Sequence, residues 1–298
     1  MNEPREHRAG FVALGGRTNV GKSTLLNRLV GHKVAIVTPR PQTTRRRVLG
    51  IRSDPDAQFI FIDTPGIHES ARALNRQMVA VARRALAEGE IVVGVIEAGR
   101  RLDPADRAML EELAALKVPL IVAINKIDLI KREQMLPLID EIGRAFPGVE
   151  IVPVSALTGE NSDELLGAIR RMLPMGPPLM PEDEYTDQTE RALAEEVIRE
   201  KIFLKMREEV PFSTAVKVEN FTEDPARNLK RISAVIIVER ESHKGMLIGA
   251  GGRMLKEIGT NARLELERML GAKVFLELLV KVDRNWTRDS RKAAEYAL

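Results

Sequence analysis

Residues 16–23 read "GRTNVGKS" and fit the pattern G-x-x-x-x-G-K-[ST]. The apolar run "FVAL" (11–14) precedes them and an amphipathic run (22–30) follows, so the loop joins a strand to a helix. With no Cβ in the way, such a loop lets the N–H groups of Gly21, Lys22 and Ser23 face phosphate oxygens, helped by the positive end of the helix. Lys22 is expected to reach the β- and γ-phosphates, and the Ser23 hydroxyl to bind Mg²⁺. Gly16, Arg17, Thr18, Asn19, Val20 and Thr24 complete the expected phosphate-binding set.

The loop alone does not choose between ATP and GTP; "NKID" (Asn125, Lys126, Ile127, Asp128) does. It directly follows the apolar strand "LIVAI" (120–124), at the carboxyl end of the sheet, where ligands bind in such folds. A carboxylate at Asp128 can accept from both N1–H and the 2-amino group of guanine, an arrangement adenine lacks. "SAL" (Ser155, Ala156, Leu157) follows the next strand and offers backbone donors to guanine O6. "DTPG" (Asp63, Thr64, Pro65, Gly66) ends another strand: Asp63 would hold Mg²⁺ through water and the Gly66 N–H would sense the γ-phosphate. In the loop "PQTTRRR" (41–47), Thr44, in preference to Thr43, would complete the Mg²⁺ shell only while the γ-phosphate is present, which makes the loop a switch. Lys22, Thr44 and Gly66 form the expected catalytic set, and Ser23, Thr44 and Asp63 the Mg²⁺ set.

Around these motifs, apolar strands (11–14, 58–62, 91–96, 120–124, 150–154) alternate with amphipathic helices (22–30, 75–87, 104–116, 132–145, 162–172). Continuous apolar strands between helices predict an α/β domain, a P-loop fold with a mostly parallel sheet and helices on both faces, over residues 1–173. The proline-rich "PMGPPLMPEDEYTD" predicts a semi-rigid linker over 174–189. None of the 298 residues is cysteine, so disulfides and thiolate metal sites are excluded. The apolar runs are too short to span a bilayer, and the N-terminus lacks a signal-peptide core, which predicts a soluble protein. A formal charge of +3 does not announce nucleic acid by bulk charge, and 4% aromatics disfavour an aromatic base-stacking platform.

Residues 190–298 read differently: a helix (190–209), two strands (213–220, 231–239), a helical turn (243–248), a glycine loop, a helix (253–270) and a last strand (274–282). This α+β order with G-x-x-G (Gly249, Ala250, Gly251, Gly252) between two helices is that of a type II KH domain, which clamps about four nucleotides of single-stranded nucleic acid. Met246, Leu247, Ile248, Leu255 and Ile258 are expected as an apolar wall for bases. Lys244, Arg253 and Lys256, with Arg240 nearby, would neutralise phosphates. Tyr185 and Trp286 are read as packing anchors, and His68 and His243 as surface residues.

In order and spacing these motifs resemble the translation-factor class of P-loop GTPases. More narrowly, "NVGKSTLLN", "QTTR", "PEDEYTD", "EEVIREKI" and "IVER" resemble the bacterial Era GTPases over nearly the whole chain. The resemblance implies a GTPase that cycles between GTP and GDP with Mg²⁺. It also implies a KH domain that binds the 3′ end of small-subunit ribosomal RNA, and a role in assembly of the 30S subunit, with no small-molecule substrate other than GTP. Ile67 stands where signalling GTPases carry a water-orienting glutamine, a substitution these relatives share, and slow basal turnover is expected. Asn19 resembles an asparagine that helps place K⁺ in some relatives, and Thr18 departs from the proline frequent there. A cytoplasmic location, with peripheral association at the inner face of the membrane, follows from resemblance alone. The alternatives are an RNA-binding protein whose GTP-binding half is structural, a tRNA-modification GTPase, and a small-molecule P-loop kinase. The missing cysteine and the KH-like half count against the second, and "NKID" against the third.

Overall fold

The computed structural model describes residues 7–40, 43–65, 73–99 and 101–297. They fall into two compact units, one made of Met1–Ala35, Arg46–Glu69 and Met78–Asp187, the other of Ile36–Arg45, Ser70–Gln77 and Gln188–Leu298.

The first unit is built on a six-stranded sheet. Its strands are β1 (Arg8–Gly16), β2 (Val48–Asp54), β3 (Ala57–Asp63), β4 (Ile91–Glu97), β5 (Leu120–Asn125) and β6 (Glu150–Pro153). They lie in the order β2-β3-β1-β4-β5-β6. All pairs are parallel except β2 with β3. Every residue of β3 is buried, because helices cover both faces as a parallel sheet requires. One core joins the sheet to α1 (Lys22–Val30) and α5 (Ser162–Met172) through Leu25, Leu29, Leu165 and Ile169. The other joins it to α2 (Ala73–Ala87), α3 (Pro104–Ala114) and α4 (Arg132–Ala145) through Leu86, Leu110, Leu113 and Ile142. Strand β2 was not expected; "VLGIRSD" turns polar after four residues and is antiparallel to its neighbour.

The stretch expected as a linker is tied to this unit as far as Asp187. The Ala9 N–H donates to Pro174 O (3.1 Å) and the Ile51 N–H to Tyr185 O (2.9 Å). The fully buried Gln58 accepts from the N–H groups of Leu179 (2.7 Å) and Met180 (2.9 Å) and donates to Met180 O (2.8 Å). Proline forbids a helix here, but an extended backbone still has polar groups to satisfy, and the sheet and Gln58 supply partners.

The second unit contains α6 (Glu190–Lys205), β7 (Thr214–Asp224), β8 (Leu229–Val238), α7 (Glu241–Ile248), α8 (Arg253–Leu270), β9 (Lys273–Val282) and α9 (Ser290–Ala297). β7 and β8 are antiparallel, and the helical crossover makes β9 parallel to β8. Val197, Ile198, Ile202, Ile236, Leu247, Ile258, Ala262 and Leu266 close a separate core between the helices and this sheet. α6 stops four residues before the expected end: Glu208 takes φ 53° and Pro211 follows, a context hostile to helix. α9 was not expected. Among the described residues, no helix is long and apolar enough to cross a membrane.

Candidate nucleotide and RNA sites

The first unit gathers most of the nucleotide motifs at the carboxyl end of its sheet. Gly21 opens α1 with φ 97°, and a Cβ there would lie 2.3 Å from Asn125 Nδ2, so only glycine fits. Lys22 is 6% exposed, and its Nζ donates to the carbonyls of Gly16 (3.0 Å) and Arg17 (2.9 Å). Burial lowers its pKa from 10.5 to about 8, against the opposing pull of the Asp63 carboxylate. Ser23 Oγ donates to Asp63 Oδ2 at 2.6 Å, and Asp63 is wholly buried at the end of β3. Thr64 is buried too, its hydroxyl on Leu14 O (2.9 Å), and Pro65 is buried beside it. Arg17, Thr18 and Thr24 are half-buried, Val20 is buried, and Asn19 is exposed with φ 65°.

Asn125 ties three loops together: its Nδ2 donates to Val20 O (2.8 Å), and its Oδ1 accepts the Ala156 N–H (2.9 Å). The Ala156 donor expected for guanine is thereby engaged within the protein. The Ser155 hydroxyl donates to Asp128 Oδ1 (2.6 Å), orienting an exposed carboxylate. Lys126, at φ 69°, donates to Glu97 (2.6 Å); Ile127 is half-buried and Leu157 is 70% exposed. Arg28 was missed: from the last turn of α1 its guanidinium donates to the carbonyls of Ala156 (3.3 Å) and Leu157 (2.6 Å). A basic residue in a last helical turn is ordinary capping chemistry, so nothing in the sequence marks it. Gly66, Ile67 and His68 lie outside the described residues.

Thr43 and Thr44 belong to the segment Ile36–Arg45, which is grouped with the second unit. Thr43 is buried, its hydroxyl 2.7 Å from that of Thr38 and donating to Arg40 O at 2.9 Å. Next to Thr44, Arg45 is 3% exposed and donates to the carbonyls of Thr214 (2.8 Å), Phe212 (3.0 Å) and Pro211 (3.2 Å), with Trp286 under its guanidinium. The Val37 N–H donates to Glu200 (3.0 Å). Nothing in the sequence singles out Arg45, since its carbonyl partners are about 170 residues away.

The second glycine loop runs from α7 to α8. Gly249, Gly251 and Gly252 have φ of 69°, 60° and 77°, and a Cβ on Gly249 would lie 2.8 Å from that of Met254. Ala250, Arg253 and Lys256 are exposed, and Lys244 and Ile248 half-buried. Beside the loop a groove of about 370 Å³ is lined by Gly252, Leu255, Lys256, Gly259, Thr260 and Leu278. The expected apolar wall needs correction: Leu247 and Ile258 are fully buried in the core, on the inward face of their helices. Leu276 and Leu278 of β9 contribute instead, from a strand whose proximity only the fold reveals. His243 is 7% exposed, with Nδ1 3.3 Å from Ser213 Oγ, so it is not a surface residue. Trp286 is wholly buried and donates to Ser213 O (3.1 Å), and Tyr185 stacks on His32 (4.7 Å between ring centroids), both as packing anchors.

Residues 11–126 match the 50S ribosome-binding GTPase family, and residues 209–287 match the KH domain family. The chain is 50% identical to the GTPase Era of Syntrophus aciditrophicus over 289 residues, covering 97% of this chain and 94% of that protein. It is 46% identical to the GTPase Era of Geobacter metallireducens, covering 97% of each. Two solved structures superpose on it, each 46% identical and covering 97% of this chain and 98% of the other. They are a point variant of Aquifex aeolicus Era bound to GDP·AlF4⁻ (TM-score 0.93) and Era in complex with MgGDPNP and nucleotides 1506–1542 of 16S ribosomal RNA (TM-score 0.94). With a P-loop domain and a KH domain in the expected order and relatives matched almost end to end, the chain belongs to the Era GTPase family.

Proposed function

We propose that this chain hydrolyses GTP at the site in its first unit and binds the 3′ end of small-subunit ribosomal RNA on its KH unit, acting in 30S subunit assembly. The observation that carries the catalytic half is the convergence of Lys22, Ser23, Asp63, Asn125, Asp128 and Ser155 at the carboxyl end of one sheet. Lys22 meets the β- and γ-phosphates, the N–H groups of the loop from Gly16 to Thr24 cradle them, and Asp128, oriented by Ser155, reads the guanine edge. The hydroxyl–carboxylate pair of Ser23 and Asp63 is a hard oxygen set that suits Mg²⁺, with Thr44 as the third contributor. When bound, the ion supplies positive charge against the phosphates. By their place in the sequence after Asp63, Gly66 would offer its N–H to the γ-phosphate, and Ile67, with no group to orient water, would leave basal turnover slow.

For the KH half, the glycine loop lets a sugar–phosphate backbone pass close, while Lys244, Arg253 and Lys256 neutralise phosphates. The groove beside them takes bases rather than a mononucleotide. Likeness to the Era structure solved with 16S ribosomal RNA supports the identity of the strand. We further propose that Asn19 helps hold K⁺ near the transferred phosphate; equal hydrolysis rates in K⁺ and Na⁺ buffers would refute it. Cytoplasmic work with peripheral association at the inner membrane follows the same resemblance, and co-sedimentation with anionic vesicles checks it.

The deciding experiment measures phosphate release from GTP with and without an RNA of the 16S 3′ end, and RNA binding with GTP and with GDP. Phosphate release that RNA accelerates, with tighter RNA binding in GTP, is the expected result. RNA binding without phosphate release under any condition would leave an RNA-binding protein with a structural first unit.

A further inference from the structure

The second residue of the phosphate loop, Arg17, is tied to the start of α3. Its Nη1 lies 3.0 Å from Asp103 Oδ1 and 3.7 Å from Asp106 Oδ1. Asp103 is the N-cap of α3 and accepts the Ala105 N–H at 2.8 Å, so its carboxylate is held in place from the helix side. Asp106 is 8% exposed, and its Oδ1 makes no hydrogen bond. Burial pushes the Asp106 carboxyl up and the Arg17 charge pulls it back. α3 is itself fixed, since Leu110 and Leu113 are fully buried in the core that includes Ala13 of β1.

The main chain of Arg17 does something different from its side chain. Its carbonyl is one of the two that receive the Lys22 ammonium, at 2.9 Å. The position of this peptide unit therefore sets where the Lys22 charge sits. We propose that Arg17, braced by Asp103 and Asp106, is a positioning residue that fixes the Lys22 ammonium for GTP hydrolysis through the Arg17 carbonyl. The ground state tolerates some drift of a point charge against the phosphates. The transition state, whose developing charge needs a preplaced partner, does not.

The inference rests on the GTPase reading above. As an ion pair, Arg17–Asp103 is half-exposed, with side chains 43% and 55% accessible, and such pairs contribute little to stability. Arg17→Ala and Asp103→Asn are therefore expected to fold, the second retaining a helix N-cap. Each should lower kcat by about 10- to 100-fold, the scale of a small misplacement at a reacting centre, with GTP affinity and melting temperature nearly unchanged. The double variant should lose no more than Arg17→Ala alone, because both break one link. Arg17→Lys, which keeps the positive charge but on a compact, more flexible ammonium, should restore part of the loss. A merely structural pair would instead lower affinity, kcat and melting temperature together, or give additive losses in the double variant. Either result overturns the brace, as does a kcat within twofold of wild type in Arg17→Ala. A wild-type chain that releases no phosphate overturns both the brace and the GTPase reading, whereas wild-type turnover with an unaffected variant overturns the brace alone.

Discussion

Single residues in this chain carry opposed demands, and Lys22 is the sharpest case. It must be charged to meet phosphate, yet its burial lowers its pKa to about 8. Below that pH the lysine is already protonated, so nucleotide binding takes up almost no proton from it. Above it the unliganded lysine is neutral, bound phosphate favours the ammonium, and binding must take up a proton. Nucleotide affinity should thus fall as pH rises through about 8, and uptake at about pH 9 should approach one proton. Calorimetry in two buffers of different ionisation enthalpy reads this directly; identical heats at the higher pH would contradict it. Arg45 is the other loaded residue. Truncation to alanine leaves three carbonyls without their charged donor, and the expected loss is about 3 kcal/mol. Chemical denaturation of the second unit, followed through Trp286, measures it, and a loss below about 0.5 kcal/mol would show that water replaces the guanidinium at no cost.

At the scale of elements, the two glycine loops solve related problems differently. The first closes on Asn125, so its shape is set by a side chain from the guanine motif. The second has open space around Gly251 and Gly252, which suits a strand passing by. Gly252→Asp places a negative charge and a strained φ at that point. RNA affinity should fall at least tenfold with GTP affinity intact, as titration of labelled RNA and labelled nucleotide would read. Loss of both affinities together would argue against separate sites. The strap along the first unit is a further element whose role is local. Gln58→Leu removes the acceptor of the Leu179 and Met180 N–H groups, at a cost of about 2 kcal/mol. Faster amide exchange confined to 174–187 is the expected signature, and unchanged exchange there would exclude Gln58 as the anchor.

On the scale of the whole molecule, the units do not follow the chain in two consecutive blocks. Ile36–Arg45, which carries Thr43 and Thr44, is counted with the KH unit although the sequence places it between α1 and β2. A fragment beginning at Gln188 therefore lacks the Arg45 guanidinium and the Val37 donor. It should unfold at lower denaturant than the same unit in the intact chain. Equal midpoints would mean that the segment adds nothing to that fold.

Much of this was legible because local chemistry forces it. A glycine loop between strand and helix, an N-K-x-D after an apolar strand, and G-x-x-G between helices each need particular residue types at fixed spacing, whatever surrounds them. Most helix bounds followed from apolar periodicity for the same reason, as at α1, α4, α5 and α8. What the sequence could not reveal depends on partners distant in the chain. Gln58 holds a strap about 120 residues away, Arg45 meets carbonyls about 170 away, and Leu247 and Ile258 face the core rather than RNA. A side chain's type limits the bonds it can make, but only tertiary packing decides which groups come within reach and which faces keep their water. The sequence by itself therefore determined two glycine loops and the order of elements that presents them. The tertiary structure decided what braces each loop, because a brace is a property of proximity and burial, and neither is written in local spacing.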